Sequence, residues 1–162
     1  MEQEHRRDIF DCGIPGLNMY LKKFALRHHE KGVAKTYVLV DTESSQDIIG
    51  YVTLSLCEMD SYLLPPPFSK KYSKSVPAAK LSRLAIDAQR QQKGLGEMLM
   101  VFAMEKAVLV SEQIGIIGFV ADCGNEYATQ YFKQYGAMDF PSKPFIVFLP
   151  IKTIFKAFMS NA

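Results

Sequence analysis

Two apolar stretches separated by a helical one constrain the fold of this chain more than any other feature. Residues 80–87 carry apolar side chains in a pattern typical of a strand, and residues 114–121 are almost continuously apolar, which is typical of a strand buried on both faces of a sheet. Between them, apolar residues from Met98 to Ala107 recur at helical spacing, and this helix is expected to reach about Gln113. A strand, a helix and a strand in this order predict two parallel strands joined by a crossover helix.

The N-terminal part of the chain predicts one helix and one hairpin. Apolar residues within 17–25 recur every three or four positions, so a helix is expected to begin near Pro15 and to stop by Gly32. Residues 35–41 and 48–57 are rich in β-branched and aromatic side chains, and a polar cluster separates them. They therefore predict two antiparallel strands.

The remaining segments complete a mixed fold. Residues 62–77 hold four prolines, which predict a loop because proline cannot donate to a ladder or continue a helix. Residues 125–135 predict a helix closed by Gly136 in the left-handed conformation. Residues 145–149 predict a last strand, and residues 151–158 continue apolar without an assignable element. The expected fold class is α/β, with a central mixed sheet flanked by helices.

Composition limits the class of protein. A chain of 162 residues with 48% hydrophobic and 22% charged residues has the size and composition of a globular domain, so residues 1–162 are predicted to be a single domain. The three cysteines, Cys12, Cys57 and Cys123, share no spacing of a metal site or disulfide framework. The N-terminal residues are polar, and no apolar run approaches the roughly 18 residues of a membrane span. These features predict a soluble, cytoplasmic protein without a metal ion.

The positive charges are clustered, although the net charge of +2 is too small to indicate a nucleic-acid-binding protein by itself. One basic stretch runs from Lys22 to Lys35, and another from Lys70 to Lys93, where Asp87 is the one acid. Such clusters favour a polyanionic partner, because Lys and Arg release counterions from phosphates. A solvated surface explains the same pattern. Both interpretations stay open, and the stretches form one basic face only if folding joins them.

Residues 91–96, Gln-Gln-Lys-Gly-Leu-Gly, follow a predicted strand and open a predicted helix at Glu97. Helix N-termini present unpaired N–H groups and a partial positive charge. Gly94 and Gly96 let a ligand approach the backbone, and Lys93 adds a cation. The loop therefore favours a phosphate ligand, although two glycines also cap helices without any ligand. It lacks the spacing of a Walker A loop and the third glycine of a dinucleotide-binding loop.

Two spaced patterns in this order resemble the GCN5-related N-acetyltransferase (GNAT) family over nearly the whole chain. The first is Gln/Arg-x-x-Gly-x-Gly/Ala after the fourth strand, matched by Gln91, Gly94 and Gly96. The second is Asn-x-x-Ala-x-x-x-Tyr-x-x-x-Gly on the helix after the fifth strand, here Asn125, Ala128, Phe132 and Gly136. The resemblance implies acetyl-CoA as the cofactor and transfer of an acetyl group to an amine.

A narrower resemblance is to the acetyltransferase toxins of bacterial toxin–antitoxin pairs. It is carried by Phe10-Asp11-Cys12-Gly13, Leu17-Asn18-Met19-Tyr20-Leu21, Tyr37-Val38-Leu39, Ile49-Gly50-Tyr51, Leu54-Ser55 and Arg83-Leu84-Ala85-Ile86-Asp87. It implies the α-amine of an aminoacyl-tRNA as substrate, so that acetylation blocks translation. It also implies a ribbon-helix-helix antitoxin as partner and a toxin homodimer.

The resemblance also implies where the ligands bind. The implied acetyl-CoA contacts are Leu84, Ala85, Ile86, Gln91, Gln92, Lys93, Gly94, Leu95, Gly96, Glu97, Asn125 and Phe132. A main-chain amide of residues 84–86 is implied to stabilise the developing negative charge and to pair with the pantetheine arm. For tRNA, the basic stretches offer Arg27, Lys31, Lys70, Lys71, Lys74, Lys80, Arg83 and Arg90.

One position departs from the family pattern, because Phe132 stands where the family carries its general-acid tyrosine. Phenylalanine has no proton to donate. The chain is therefore a disabled variant of a toxic enzyme, a homologue that uses Tyr131, Tyr135 or water, or an inactive cofactor binder. Tyr131 lies about 100° around the helix from residue 132, whereas Tyr135 is expected nearer the same face. The disabled variant is the working hypothesis, because the cofactor apparatus is intact.

Two other functions are consistent with the same sequence. One is an acetyltransferase for a small amine or a protein N-terminus, and the other is a non-catalytic acetyl-CoA-binding module.

Four smaller roles are also expected. Asp87 caps the end of its strand, Glu97 is a favourable first-turn anion and Asp122 caps a helix. The pair His28-His29 is solvated or faces tRNA.

Overall fold

The computed structural model describes residues 1–160 as a mixed α/β fold. The strands are β1 (Lys35–Val40), β2 (Ile48–Asp60), β3 (Ser75–Ile86), β4 (Gly118–Asp122), β5 (Met138–Phe140) and β6 (Lys143–Pro150). The helices are α1 (Pro15–Tyr20), α2 (Leu26–Lys31), α3 (Phe68–Lys71), α4 (Leu95–Ser111), α5 (Glu126–Lys133) and α6 (Ile151–Ser160). A π-helical segment (Leu21–Ala25) continues α1 into α2, and 3-10 turns cover Ser61–Leu63 and Ala88–Arg90.

The strands form one six-stranded sheet in the order β1-β2-β3-β4-β6-β5, which confirms the predicted fold class. β1 and β2 pair antiparallel, with Lys35 opposite Leu54, so the predicted hairpin is confirmed. β3 and β4 run parallel, with Ala79 opposite Phe119, as expected for a crossover through α4. β6 pairs antiparallel with both β4 and β5.

The chain divides into two compact units, and the first comprises Met1–Ser55 and Ser82–Val101. Its core surrounds Tyr51, which is fully buried and lies edge-on to Phe10, with ring centroids 5.6 Å apart. Burial raises the pKa of Tyr51 far above its ordinary value, so the phenol stays neutral. Its hydroxyl donates to Leu17 O at 2.8 Å, which ties β2 to α1.

The second unit comprises Leu56–Leu81 and the chain from Phe102 onward. One of its clusters of buried side chains contains Leu64, Val76, Ala78, Val120, Phe140 and Phe148. β4 and β6 approach closely at Gly118, where an added Cβ would lie 2.5 Å from Leu149 O. That distance leaves no room for a side chain. The predicted single domain over residues 1–162 stays a prediction, and residues 161 and 162 lie outside the described residues.

The proline-rich segment is more ordered than its composition predicts. It contains α3, and β3 begins at Ser75 instead of residue 80, so Pro77 lies within the strand. Proline lacks an N–H but keeps its carbonyl, and Pro77 O accepts from Ile117 N–H at 2.9 Å. The expectation of a loop up to Pro77 was therefore wrong at its C-terminal end.

Four further features of the fold differ from the prediction. β4 begins at Gly118, four residues later than expected, because residues 114–117 lead into the strand outside its register with β6. The short β5 was not predicted, and residues 151–158 belong to helix α6. α4 begins at Leu95 rather than at Glu97, which places Gly96 inside the first helical turn. None of the described helices is long and apolar enough to cross a membrane.

Candidate functional site

The glycine loop follows directly from the end of β3, in the first unit. Asp87 comes after the last residue of β3 and caps the next 3-10 turn, since its Oδ1 accepts from Gln89 N–H at 3.1 Å. This confirms the expected cap. The Asp87 N–H donates to Ile49 O at 2.9 Å, so β2 holds the start of the loop.

The loop backbone turns through two left-handed residues, Gln92 with φ of 61° and Gly94 with φ of 78°. Glycine takes this conformation without steric cost, whereas glutamine does not. A Cβ added at Gly96 would meet no atom within 4 Å, so this stretch of backbone is open to an approaching ligand. Lys93 is exposed beside it. The loop thus offers unobstructed backbone next to a mobile cation.

The start of α4 supplies amide groups to this loop. The Met98 N–H donates to Gly94 O at 3.1 Å, which is the first bond of the helical pattern. The amides of Leu95 and Gly96 precede that bond and carry the positive end of the helix dipole. Glu97 lies in the first turn, as predicted, and its Oε2 is 3.7 Å from the place of a Cβ on Gly94. Such an acidic side chain stabilises the helix start.

Residues 84–86 form the last part of β3. Ala85 and Ile86 are buried, and Leu84 is half-buried. A Cβ on Gly50 of β2 would lie 2.7 Å from Ile86 Cδ1 and 3.3 Å from Ala85 O, so a side chain there would have to displace the end of Ile86. The close approach of the two strands fixes the end of β3 from which the loop departs.

The carboxamide of Gln91 points back into the protein. Its Nε2 donates to Cys12 O at 3.1 Å and to Ile86 O at 2.9 Å. Sequence reasoning assigned Gln91 to the cofactor but assigned no role to Asp11 or Asn18, whose side chains hydrogen-bond each other at 2.8 Å. Their short polar side chains beside Gly13 were the available signal, since Asp and Asn often bond to nearby backbone.

Helix α5, in the second unit, carries the second family pattern. Its N-cap is Asn125, whose Oδ1 accepts from Ala128 N–H at 2.9 Å. Asp122 was expected to cap a helix, and this was wrong, because Asp122 is the last residue of β4 and pairs with Ile146. Gly136 follows the helix with φ of 97°, which confirms its predicted left-handed conformation.

Phe132 lies on the inner face of α5. Its side chain is 1% exposed, and its ring centroid is 5.8 Å from that of Phe119 in β4. Tyr131 and Tyr135 share another face, where their hydroxyl oxygens are 3.3 Å apart. Tyr135 also lies edge-on to Phe158 of α6, with centroids 6.3 Å apart. The half-buried phenol pair can exchange a proton, whereas the Phe132 ring has none to give.

The two arginines Arg27 and Arg83 come together on one row of aromatic rings in the first unit. Arg83 lies 3.7 Å above the ring of Tyr20, and Arg27 lies 5.4 Å from the ring of Phe24. Tyr20 and Phe24 stack with centroids 6.5 Å apart. The two arginines lie 56 positions apart in the sequence, but the fold places their guanidinium groups on one surface.

The other predicted tRNA contacts differ in accessibility. Arg90 forms an ion pair with Asp41. The Glu43 N–H and Arg90 together hold the pKa of Asp41 below its ordinary value. In the second unit, Lys80 is half-buried. The exposed members of the set are Lys31, Lys70, Lys71 and Lys74.

The histidines of the pair are half-buried and form hydrogen bonds within the first unit, and their expected role as a solvated or tRNA-facing pair stays a prediction. His28 Nδ1 is 3.3 Å from the Tyr20 hydroxyl. His29 Nδ1 accepts from Thr36 N–H at 3.1 Å, which connects α2 to β1. Sequence reasoning missed these bonds because their partners lie seven or more residues away. Over residues 1–160, no group of three His, Cys, Asp or Glu side chains is arranged to hold a metal ion.

Comparison with known proteins links this geometry to a family. Residues 4–137 match the model of the Acetyltransferase (GNAT) family. One relative, the "Probable toxin TacT" of Sinorhizobium fredii, is 29% identical over 159 residues, covering 93% of this chain and 87% of its own length. Another, the "tRNA-acetylating toxin" of Mycobacterium tuberculosis, is 27% identical over 143 residues, covering 88% of this chain and 84% of its own.

Two solved structures share the fold. The structure of AtaT complexed with acetyl-methionyl-tRNAfMet is 29% identical with a TM-score of 0.86, covering 97% of this chain and 94% of that one. The structure of a Tyr-to-Phe mutant of the AtaT toxin, bound to the C-terminus of the antitoxin AtaR and acetyl-CoA, is 28% identical with a TM-score of 0.78. It covers 95% of this chain and 91% of that one. Since the family model spans most of the sequence and the loop, strand and helix lie where its two patterns require, this chain belongs to the Acetyltransferase (GNAT) family.

Proposed function

We propose that this chain is a disabled form, changed at Phe132, of an acetyltransferase toxin that transfers an acetyl group from acetyl-CoA to the α-amine of an aminoacyl-tRNA and so blocks translation. The observation that carries the proposal is the open backbone at Gly96 in the first turn of α4, where the amides of Leu95 and Gly96 begin the helix. The relatives described as toxins, and the AtaT complexes with acetylated tRNA and with acetyl-CoA, support it.

The residues present fit the diphosphate of acetyl-CoA. Phosphate oxygens only accept hydrogen bonds, and the start of a helix offers donors together with a favourable dipole. A Cβ at Gly96 would take up the open space above the backbone, so glycine leaves room for the ligand. Lys93 is exposed and adds an attractive charge. The proposed contacts beside these are the main chain of Gln91, and Gln92, Gly94, Glu97, Asn125 and Phe132.

Bound acetyl-CoA supplies a thioester carbonyl that a neutral amine can attack. Residues 84–86 offer main-chain N–H groups at the end of β3, and we assign to one of them the stabilisation of negative charge on that carbonyl oxygen. A preorganised N–H of this kind contributes roughly 2.7–4 kcal/mol. The same strand end offers hydrogen bonds to the pantetheine arm.

The proton that the leaving thiolate needs has no donor at Phe132, so we propose that this position holds a Tyr-to-Phe change that disables the enzyme. The Phe132 ring is buried against Phe119. The solved structure of a Tyr-to-Phe mutant of AtaT bound to acetyl-CoA supports cofactor binding by a chain of this kind. General acid catalysis contributes roughly 10²–10⁴-fold.

The Phe132→Tyr variant tests this proposal. We expect acetyl transfer to aminoacyl-tRNA to rise roughly 10²-fold or more, because the phenol restores a proton donor. The measurement incubates the variant with labelled acetyl-CoA and total charged tRNA and then identifies the molecule that takes the label. Tyr131→Phe and Tyr135→Phe serve as controls, since each removes one hydroxyl of the neighbouring pair and should leave Phe132→Tyr activity within about threefold.

Other outcomes assign other functions. Label on a small amine or a protein N-terminus, with none on tRNA, would favour the alternative acetyltransferase. If both the unaltered chain and Phe132→Tyr bind coenzyme A but transfer no acetyl group, the result would favour a non-catalytic module. If Tyr131→Phe or Tyr135→Phe abolishes the activity of the unaltered chain, the phenol pair supplies the proton and the chain is not disabled.

The proposed partners follow from the same relatives. We propose aminoacyl-tRNA as the substrate, with contacts from Arg27, Lys31, Lys70, Lys71, Lys74, Lys80, Arg83 and Arg90. The AtaT complex with the antitoxin AtaR supports an antitoxin partner, for which we propose the ribbon-helix-helix class. A homodimer, a cytoplasmic location and a single domain complete the proposal.

A further inference from the structure

The Gln91 carboxamide has only two hydrogens, and both are used inside the protein. They bond the carbonyl oxygens of Cys12 and Ile86, at 3.1 Å and 2.9 Å. Because both partners only accept, the nitrogen end of the carboxamide must face them. Phosphate oxygens also only accept. The Gln91 side chain therefore has no donor left for a diphosphate.

Cys12 is itself held from the other side. Its N–H donates to Asn18 Oδ1 at 2.9 Å, and Asn18 Nδ2 donates to Asp11 Oδ1 at 2.8 Å. The same Asp11 oxygen accepts from Gly13 N–H at 2.8 Å. Residues 11–13 are thus tied to the first turns of α1.

Two more bonds join these residues to the start of the glycine loop. The Asp11 N–H donates to Asp87 Oδ2 at 3.2 Å, and Ala88 N–H donates to Asp11 O at 2.8 Å. Together with the Gln91 bonds, they bind the chain on both sides of the 3-10 turn between β3 and the loop. The loop conformation therefore depends on a segment about 79 residues away in the sequence.

We propose that Gln91 is a positioning residue, which anchors the glycine loop to Cys12 and Ile86 and so sets the direction of the Leu95 and Gly96 amides. It does not touch the ligand through its side chain. Asn18 supports it by holding Cys12. The identity of the ligand rests on the proposed function, whereas the positioning itself is a property of the ligand-free chain.

The test uses Gln91→Met, Asn18→Ala and the double variant, with Gln89→Met as the matched control on an exposed glutamine two residues earlier. We expect Gln91→Met to raise the dissociation constant of coenzyme A roughly tenfold and Asn18→Ala about threefold. The double variant should be no weaker than Gln91→Met alone, since the two residues act through one network. Gln89→Met should bind as the unaltered chain does. Calorimetry with coenzyme A provides the constants.

Hydrogen exchange of the ligand-free protein provides the second measurement. Gln91→Met and Asn18→Ala should each accelerate exchange of the amides in residues 92–97, and Gln89→Met should not. The proposal is overturned if Asn18→Ala changes neither affinity nor exchange, or if the two effects on affinity multiply. If the unaltered chain shows no affinity for coenzyme A while exchange responds as expected, the proposed function fails and the positioning role stands.

Discussion

At the scale of single residues, the strained backbone at Gln92 is a local conflict between sequence and structure. Its φ of 61° is one that side chains with a Cβ adopt at a cost. The cost persists only where the surrounding structure holds the residue in place. Here that structure comprises the Gln91 bonds before it and the left-handed Gly94 after it.

Substitution at Gln92 measures this cost. Gln92→Gly removes strain worth roughly 1 kcal/mol, but glycine also loses about 0.5–1 kcal/mol through the entropy of the unfolded chain. We expect the free energy of unfolding to stay within about 0.5 kcal/mol of that of the unaltered chain. Gln92→Val should lower it by about 1 kcal/mol or more, because a β-branched residue fits this conformation poorly. Urea denaturation measures both.

The matched control is Gln89, which is not among the left-handed residues. There Gln89→Gly should lower the free energy of unfolding by about 0.5–1 kcal/mol. Equal losses for Gln89→Gly and Gln92→Gly would show that residue 92 carries no strain in solution.

At the scale of elements, the junction between α2 and β1 depends on one imidazole. His29 Nδ1 accepts the Thr36 N–H at 3.1 Å, and α2 ends next to it at Gly32 in the left-handed conformation. Burial lowers the pKa of His29 from its ordinary value of 6.5, and the charge of Lys35 acts in the same direction. The neutral ring is therefore the form that the fold favours.

This junction predicts a pH dependence. Because the pKa of His29 is lower in the folded state, His29 contributes stability at pH values above its unfolded-state pKa of 6.5. That stability is lost as the pH falls through the folded-state pKa. We expect the free energy of unfolding to decrease below pH 6.5. In His29→Asn the amide oxygen can accept the Thr36 N–H but does not titrate, so its curve should be flatter there. Denaturation at several pH values measures the difference, and parallel curves would exclude His29 as the cause.

Element prediction succeeded where local rules decide. The helix end at Gly32 and the turn at Gly136 were expected because a left-handed residue follows each helix. It failed for β5 and for the start of β3. A three-residue strand has too few positions to show a period. A strand tolerates proline only where no neighbouring chain needs the missing N–H. At Pro77 the neighbouring chain uses the proline carbonyl, which accepts from Ile117 N–H, and only the folded structure shows this bond.

At the scale of the whole molecule, the proposed binding of tRNA depends on where the positive charges lie, because the net charge is only +2. Lys70, Lys71 and Lys74 are exposed around α3, and surface cations next to one another attract phosphates through a shared field. In proposing that tRNA binds this chain, we therefore expect its affinity to depend steeply on salt.

Replacing Lys70, Lys71 and Lys74 by alanine tests this expectation. Each phosphate contact contributes about 0.7–0.9 to the slope of log affinity against log salt, so the slope should fall by about 2–3. The control replaces Lys143, Lys152 and Lys156, which are exposed on β6 and α6 and carry the same total charge. Filter binding at several salt concentrations measures both. Equal losses from the two triple variants would show that only net charge matters.

The sequence by itself determined the strand, glycine loop and helix of the site, the crossover and the family patterns. These depend on the short-range sterics of glycine and on the periodicity of apolar residues, which any local stretch displays. Only the tertiary structure decided which partners the polar side chains take. The Gln91 carboxamide reaches Cys12, Arg83 covers Tyr20 and His29 holds Thr36. Such contacts depend on how segments that are distant in the sequence pack together, and the local sequence does not show which segments become neighbours.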